Sequence, residues 1–324
     1  MLKCGLLMGA FFVFTVSAAK PAVISDDDVK ADSIVYDKPI EWRVFASGAP
    51  VKAFALQKDL LWYVTQDGVF STNLKKSELQ NFPKLGNLPS SDITCVVADQ
   101  SGKMWFGGKN GIAVRTGSAF INYTTENGLP DLNINTIAAA NDGGVWVGTD
   151  SGAAVFQDNQ WKVFNSANGL AGNKVSAIVF DKNGAVWIGS EKGISVFDGT
   201  SFTIYNMKKG LSWNNVKALT VDQKNGTVWA AVGDKDVNCF EGGTWKVFME
   251  IQPDITSIMV DSHSRVWFGS ATGILKFNGD EWITEPSQIG VPAKEVFQMY
   301  REGNGNLWFA MENGVVKLAN PYPF

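Results

Sequence analysis

The 324-residue sequence predicts an all-β fold, a seven-bladed β-propeller of four-stranded antiparallel blades. The first observation is a tryptophan that recurs about every 41 residues, and the second is the constant order of short apolar runs and turns around it. The third is an unpartnered strand near the N-terminus that matches a strand missing from the last copy. Radial repetition closed in this way leaves only short, protected strand edges. The repeated tryptophans are Trp62, Trp105, Trp146, Trp187, Trp229, Trp267 and Trp308.

Two copies show the repeat unit clearly. Residues 175–197 read VSAIVFDKNGAVWIGSEKGISVF, and residues 134–156 read INTIAAANDGGVWVGTDSGAAVF. Each contains three β-branched or apolar runs separated by turns rich in Asp and Gly, which predicts three hairpin-connected strands. A glycine six residues after the tryptophan predicts a turn with positive φ, and only the copy around Trp229 lacks it. These glycines are Gly68, Gly111, Gly152, Gly193, Gly273 and Gly314.

A fourth, outer strand follows six of the seven triplets and usually starts with an aromatic residue. The predicted outer strands are Leu79–Phe82, Phe120–Tyr123, Trp161–Phe164, Phe202–Tyr205, Trp245–Phe248 and the run from Trp282. The last copy has none, whereas Ile40–Phe45 precedes the first copy without a hairpin partner of its own. We therefore predict that Ile40–Phe45 completes the last blade. The propeller then spans residues 39–320, and residues 321–324 are a tail.

The innermost strands are expected to crowd near the axis of the ring, which requires small side chains there. The third residue of each is small, with one exception, Gln298. The set is Ala53, Cys95, Thr136, Ala177, Ala218, Ser257 and Gln298. The repeated tryptophans are interpreted as packing between blades, because each ring buries a large apolar area.

The N-terminal segment predicts export. Residues 1–19 combine Lys3, an apolar run and small residues, which is typical of a secretory signal peptide, although an uncleaved anchor is the alternative. Residues 20–38 form an acidic linker. Without Lys3, 27 basic face 32 acidic side chains, a net charge of −5, which argues against nucleic acid or an anionic membrane as partner. We expect a periplasmic or secreted monomer with no membrane-inserted segment. Cys95 and Cys239 lie in distant copies and are expected to be free thiols.

The segments VSAIVFDKNGAVWIGSEKGISVF and ITSIMVDSHSRVWFGSATGILKF resemble the two-component regulator propeller repeat. The resemblance extends from about Ile40 to Leu318. It implies a propeller of the kind that forms the periplasmic sensor part of hybrid histidine kinases. The sequence contains a single ring, with no β-sandwich module, transmembrane helix or kinase region after it. The resemblance therefore implies a stand-alone exported sensing or binding propeller.

The candidate ligand site is one mouth of the central channel, where loops enter the inner strands. The residues immediately before those strands form a predicted ring that Pro50 completes: Asp92, Asn133, Lys174, Asn215, Asp254 and Glu295. Three acids and one lysine give the ring a formal charge of −2. Amide and carboxylate groups at a concave mouth suit a polyhydroxylated or cationic ligand. The alternative is that these side chains cap turns and face solvent.

One tryptophan departs from the repeat. The other eleven fall on second or outer strands, whereas Trp213 lies in an entering loop where other copies have Asp131 and Gly172. An aromatic side chain on a polar face is a stacking platform for a sugar or an anchor for a protein partner. The alternative is a loop residue packed against a neighbouring blade.

The residue inventory argues against an enzyme. The only histidine, His263, lies in a predicted hairpin turn, so a Ser-His-Asp triad or a histidine metal centre has no second member. We therefore predict no catalytic residue, no metal and no cofactor. The main hypothesis is a sensor-type propeller that binds a carbohydrate or another small molecule. A protein-interaction scaffold is the alternative, and a histidine-free lyase or hydrolase is a third.

Overall fold

The computed structural model describes residues 13–14, 42–45, 49–76, 78–89, 92–248, 254–277, 282–284 and 294–319. Within these ranges the chain forms seven antiparallel blades, which confirms the predicted fold. The predicted signal peptide, acidic linker and tail lie outside the described residues, apart from the two-residue strand Val13–Phe14, which pairs with Trp42 and Arg43.

The blades are numbered 1 to 7 from residue 51, and their strands first to fourth from the axis outwards. The first strands are Val51–Gln57, Ile93–Ala98, Ile134–Ala139, Val175–Phe180, Val216–Val221, Ile255–Val260 and Val296–Arg301. The second strands are Leu60–Thr65, Met104–Gly108, Val145–Thr149, Val186–Ser190, Val228–Val232, Val266–Ser270 and Leu307–Met311. The third strands are Gly68–Asn73, Gly111–Thr116, Ala153–Gln157, Gly193–Phe197, Asp236–Glu241, Gly273–Phe277 and Gly314–Leu318.

The fourth strands complete the blades at the rim of the ring. In blades 1 to 6 they are Leu79–Phe82, Ala119–Tyr123, Gln160–Phe164, Phe202–Tyr205, Thr244–Phe248 and Trp282–Thr284. A small hairpin of Lys84–Leu85 and Leu88–Pro89 follows blade 1, and the 3-10 turns Thr125–Asn127 and Met207–Lys209 follow blades 2 and 4. No helix in the described ranges has the length and apolar character needed to span a membrane.

The ring closes as the sequence predicts. Trp42–Phe45 is the fourth strand of blade 7 and pairs antiparallel with Gly314–Leu318. First strands of consecutive blades contact one another around the whole circle, including blades 7 and 1. At this last junction the Phe54 N–H donates to Gln298 Oε1 at 2.8 Å. Gln298, the one large residue among the third residues of the first strands, therefore links blade 7 to blade 1.

The hydrophobic core consists of seven separate clusters, each at one interface between blades. Each cluster contains one of the repeated tryptophans, which confirms their interpretation as packing residues. The small third residues of the first strands also lie in these interfaces: Ala53 packs between blades 1 and 2, and Ala177 between blades 4 and 5. Their small size allows this close contact with the next blade.

A second repeated glycine, which sequence reasoning missed, lies on the second strand two residues after the tryptophan. In blade 4, a Cβ on Gly189 would lie 2.6 Å from Cγ1 of Val216, the first residue of the next blade. In blade 2, a Cβ on Gly107 would meet Ile134 Cγ2 at 2.6 Å. Glycine at this position therefore allows neighbouring blades to approach closely. The glycines six residues after the tryptophan all have positive φ, as predicted.

The recurring turn acids hold the tryptophans. Asp99 Oδ2 accepts the Trp105 indole N–H at 2.8 Å, and Asp261 Oδ2 accepts that of Trp267 at 3.0 Å. Asp99 Oδ1 also accepts the backbone N–H of Lys103. Burial alone would raise the pKa of Asp99, but these donors outweigh it and hold the pKa below its ordinary value. The turn acids are thus part of the blade architecture.

Candidate functional site

The entering loops and the hairpins between second and third strands lie at the same end of the blades. The carbonyl of the residue before the first strand accepts a backbone N–H from that hairpin in four blades. The pairs are Asp92 with Lys109, Lys174 with Glu191, Asn215 with Gly233, and Glu295 with Glu312, at 2.8–3.3 Å. We call this end of the ring the mouth face. All six predicted polar ring residues lie on it.

A β-bulge at the start of every first strand adds a second ring of residues to this face. The pairing register with the second strand shifts between the first and third residues of all seven first strands. The second residue is therefore unpaired and its side chain is re-aimed, as is usual at bulges. Sequence reasoning missed this ring: Lys52, Thr94, Asn135, Ser176, Lys217, Thr256 and Phe297.

Four of the bulged side chains link one blade to the next. Each donates a hydrogen bond to the backbone carbonyl of the first residue of the following first strand. The bonds are Thr94 to Ile134 at 3.3 Å, Asn135 to Val175 at 3.0 Å, Ser176 to Val216 at 2.5 Å and Thr256 to Val296 at 2.5 Å. These donors position the blades that surround the mouth.

Asp150, in the second–third hairpin of blade 3, brings two predicted site residues together. Its carboxylate accepts from Asn133 Nδ2 at 3.4 Å and from Asn135 Nδ2 at 3.0 Å. The ammonium of Lys174 lies 4.0 Å from the same carboxylate. Asn133 and Lys174 thus belong to one polar network across blades 3 and 4.

A second network joins blades 5 and 6. Lys217 Nζ donates to Asp254 Oδ1 at 2.7 Å and to Asp234 Oδ1 at 3.4 Å. Asp254 is another predicted site residue, and Asp92 likewise accepts from Asn110 Nδ2 at 2.5 Å. Part of the predicted ring therefore also stabilises the mouth loops, which agrees with the capping role weighed as its alternative.

Trp213 is half-exposed on the mouth face, with 54% of its surface accessible. A Cβ on Gly233, in the second–third hairpin of the same blade, would lie 2.7 Å from Trp213 Cγ, so the indole lies directly over this glycine. Blade 4 has the reverse pair: Gly172 is in the loop, and a Cβ there would meet Glu191 Oε2 at 2.5 Å. In blade 4 the loop residue is a glycine and the hairpin residue has a long side chain. In blade 5 the loop residue is a tryptophan and the hairpin residue is a glycine.

His263 lies at the other end of the ring, in the first–second hairpin of blade 6. Its Nδ1 is 3.2 Å from Ser262 Oγ, and its backbone N–H donates to Asp261 Oδ1 at 2.7 Å. Across the described ranges, no group of three His, Cys, Asp or Glu side chains is arranged to hold a metal ion.

The family comparison matches this chain to the two-component regulator propeller. The matched segments are residues 87–110, 128–151 and 169–192. Each covers an entering loop, a first strand and a second strand, in blades 2, 3 and 4. The repeat identified from the sequence is confirmed. A search of curated protein sequences found no match to this chain.

Solved structures share the fold. The extracellular domain of the two-component system protein BT3049 from B. thetaiotaomicron superposes with a TM-score of 0.72 at 19% identity, over 87% of this chain and 41% of that one. Virginiamycin B lyase from Staphylococcus aureus gives 0.71 at 16% identity, over 86% and 99%. PorZ of Porphyromonas gingivalis, a surface component of the type-IX secretion system, gives 0.66 at 14%, over 82% and 46%. This chain spans about two fifths of the BT3049 domain.

Proposed function

We propose that this chain, a propeller related to the sensor domains of two-component systems, is an exported sensor-type binding protein whose mouth face binds a carbohydrate or another small polar ligand. The repeat match and the similarity to extracellular domains of two-component systems support this proposal. They also favour a periplasmic or secreted location.

The half-exposed indole of Trp213 carries the proposal. Tryptophan is enriched among the anchor residues of binding interfaces, because its ring offers a large apolar face together with a polar edge. Gly233 lies against one side of the indole, and Asp234, the next residue, accepts from Lys217, which also donates to Asp254. An apolar plane bordered by convergent polar groups suits a sugar ring, which has apolar C–H faces and hydroxyl edges.

A thermal-shift screen of oligosaccharides tests this assignment. We expect one or more glycans to raise the melting temperature of the wild-type protein and to lose that effect in Trp213→Ala. Tyr300→Ala is the matched control, because Tyr300 is 45% exposed near the opposite end of a first strand. A glycan response that survives in Trp213→Ala would move the site away from this residue.

A protein-interaction scaffold is the second candidate, and Met207 favours it. This residue is 53% exposed in the same loop as Trp213, and flexible methionines are common on protein-binding surfaces. The scaffold would be favoured if no glycan shifts the melting temperature and if a protein partner binds the wild type but neither Met207→Ala nor Trp213→Ala.

An enzymatic role has less support. The neighbours include a virginiamycin B lyase, of which a variant with one histidine changed to alanine is described as catalytically inactive. Here the single histidine, His263, lies at the end of the ring opposite the mouth face. Product analysis of the glycan screen checks this: we expect each oligosaccharide to be recovered unchanged.

A further inference from the structure

Charge is distributed unevenly over the mouth face. Residues 206–217, which enter blade 5, contain three lysines and no acid. The equivalent residues 124–135, which enter blade 3, contain two acids and no basic residue. The chain as a whole is acidic, with a formal net charge of −4. The loop of blade 5 is therefore a local positive region on an acidic protein.

Two of the three lysines of this loop form no salt bridge among the described residues, and one exposed lysine lies in the adjacent second–third hairpin, between Asp234 and Asp236. Lys217 is held by Asp254 and Asp234. Lys208, Lys209 and Lys235 are exposed, and the salt bridges formed among the described residues do not include them. We call these three lysines the blade 5 basic patch.

The patch and Trp213 belong to one structural unit. Lys208 and Lys209 lie in the 3-10 turn Met207–Lys209, and the Met207 N–H donates to Asn214 Oδ1 at 2.9 Å, next to Trp213. Lys235 follows Gly233, the residue that the indole covers, by two positions. The three lysines therefore lie in two turns of blade 5 that are close in sequence or in contact with the Trp213 loop.

We propose that the ligand of the mouth face is an anionic sugar chain, bearing carboxylate or sulfate groups. One sugar ring stacks on Trp213, and the acidic groups of the chain interact with the blade 5 basic patch. The exposed side chains of Asn215 and Asp254 offer hydrogen bonds to hydroxyl groups, which favours a sugar chain over an acidic peptide. This inference rests on the proposed function and narrows its ligand class.

Isothermal titration with three probes tests the ligand class: a galacturonic acid oligomer, a neutral galactose oligomer of the same length, and a poly-glutamate peptide. We expect the galacturonate oligomer to bind most tightly, with an affinity that falls as salt is raised. The double variant Lys208→Gln/Lys209→Gln should weaken its binding about fivefold and leave any neutral binding unchanged. Lys75→Gln/Lys76→Gln, an exposed lysine pair after the third strand of blade 1, is the matched control.

The outcomes separate this inference from the proposed function. Equal binding of both sugars, unaffected by the lysine changes but lost in Trp213→Ala, would overturn the anionic ligand and retain a carbohydrate site. Tighter binding of the peptide than of either sugar would overturn the sugar assignment. If the folded wild-type protein binds none of the three probes, the anionic ligand is contradicted. If the wider glycan screen is also negative, the proposed function is contradicted as well. Melting temperatures of all variants confirm that they are folded.

Discussion

At the scale of single residues, one glycine meets two different requirements in most blades. The glycine that opens most third strands has a positive φ, and its missing Cβ makes room for a carbonyl of the fourth strand. In blade 4 this is Gly193, with φ +133°, where a Cβ would meet the carbonyl oxygen of Tyr205. Backbone conformation and close packing therefore both require glycine here.

Gly193→Ala tests the two requirements separately when it is compared with Gly184→Ala. Gly184 also has a positive φ, +84°, but a Cβ there would have no atom within 4 Å. We expect Gly184→Ala to lower the free energy of unfolding by about 1 kcal/mol through backbone strain, and Gly193→Ala by roughly 2–4 kcal/mol. Urea denaturation of both variants measures the difference. Equal losses would show that the steric contact has no energetic effect.

The two cysteines of the ring are shielded to different degrees, since Cys239 is buried and Cys95 is partly buried. Burial raises the pKa of the Cys95 thiol to about 12 and that of Cys239 to about 11. Since the thiolate is the reactive form, we expect neither to react appreciably with a thiol reagent at pH 8 in the native protein. Both should react promptly in denaturant. Rapid labelling of the native protein at either position would contradict the predicted burial.

At the scale of elements, the first–second hairpins couple a turn to an interface. In blade 2 the turn acid Asp99 binds Trp105, which packs between blades 2 and 3. The same side chain organises the turn and fixes the orientation of the largest residue in the interface. This structural role explains why an acid recurs at this position.

The lowered pKa of Asp99 predicts an acid-sensitive contribution to stability. The folded state favours the ionised carboxylate, so its contribution is complete above the unfolded pKa, near 3.8, and is lost as the pH falls through the lower folded value. We expect the wild type to lose more stability between pH 5 and pH 2 than Asp99→Asn, which keeps an acceptor but cannot titrate. Denaturation midpoints across this range measure it. Parallel pH profiles would contradict the prediction.

The strands could be predicted from the sequence because their signal is repeated seven times. The bulges could not, because Lys52, Ser176 and Phe297 fit an uninterrupted alternating strand equally well. The ring of residues before the first strands was predictable from their position. Its hydrogen bonds were not, because they depend on hairpins such as that of Asp150, which is 17 residues from Asn133. Trp213 was visible as an exception in one blade. The contact of Trp213 with Gly233 could not be predicted, because the two residues lie in separate loops and both differ from their counterparts in blade 4.

At the scale of the whole molecule, stability depends on closing the circle. Trp42–Phe45 joins the beginning of the ring to its end, and the Phe54–Gln298 hydrogen bond crosses the same junction. Each blade contributes to two of the seven hydrophobic clusters, so an opened ring leaves two blades with an uncovered face.

Removal of the closing strand tests this dependence. We expect a chain that starts at residue 49 to melt well below one that starts at residue 39, because the outer strand of blade 7 is lost together with Phe45, which is buried against Trp308. The chain that starts at residue 39 should melt like a chain that starts at residue 20. Calorimetry compares the three. Equal melting temperatures for all of them would show that the closing strand does not contribute to stability.

The pairing of Trp42 with Leu318 places the two ends of the ring side by side in one blade. A short peptide linker could therefore join them, and new termini could be opened in an exposed loop between two other blades. The order in which the blades are synthesised is thus separable from the architecture that they form. In such circular permutants the Trp213 loop could be moved to the start, middle or end of the chain while its position on the mouth face is retained.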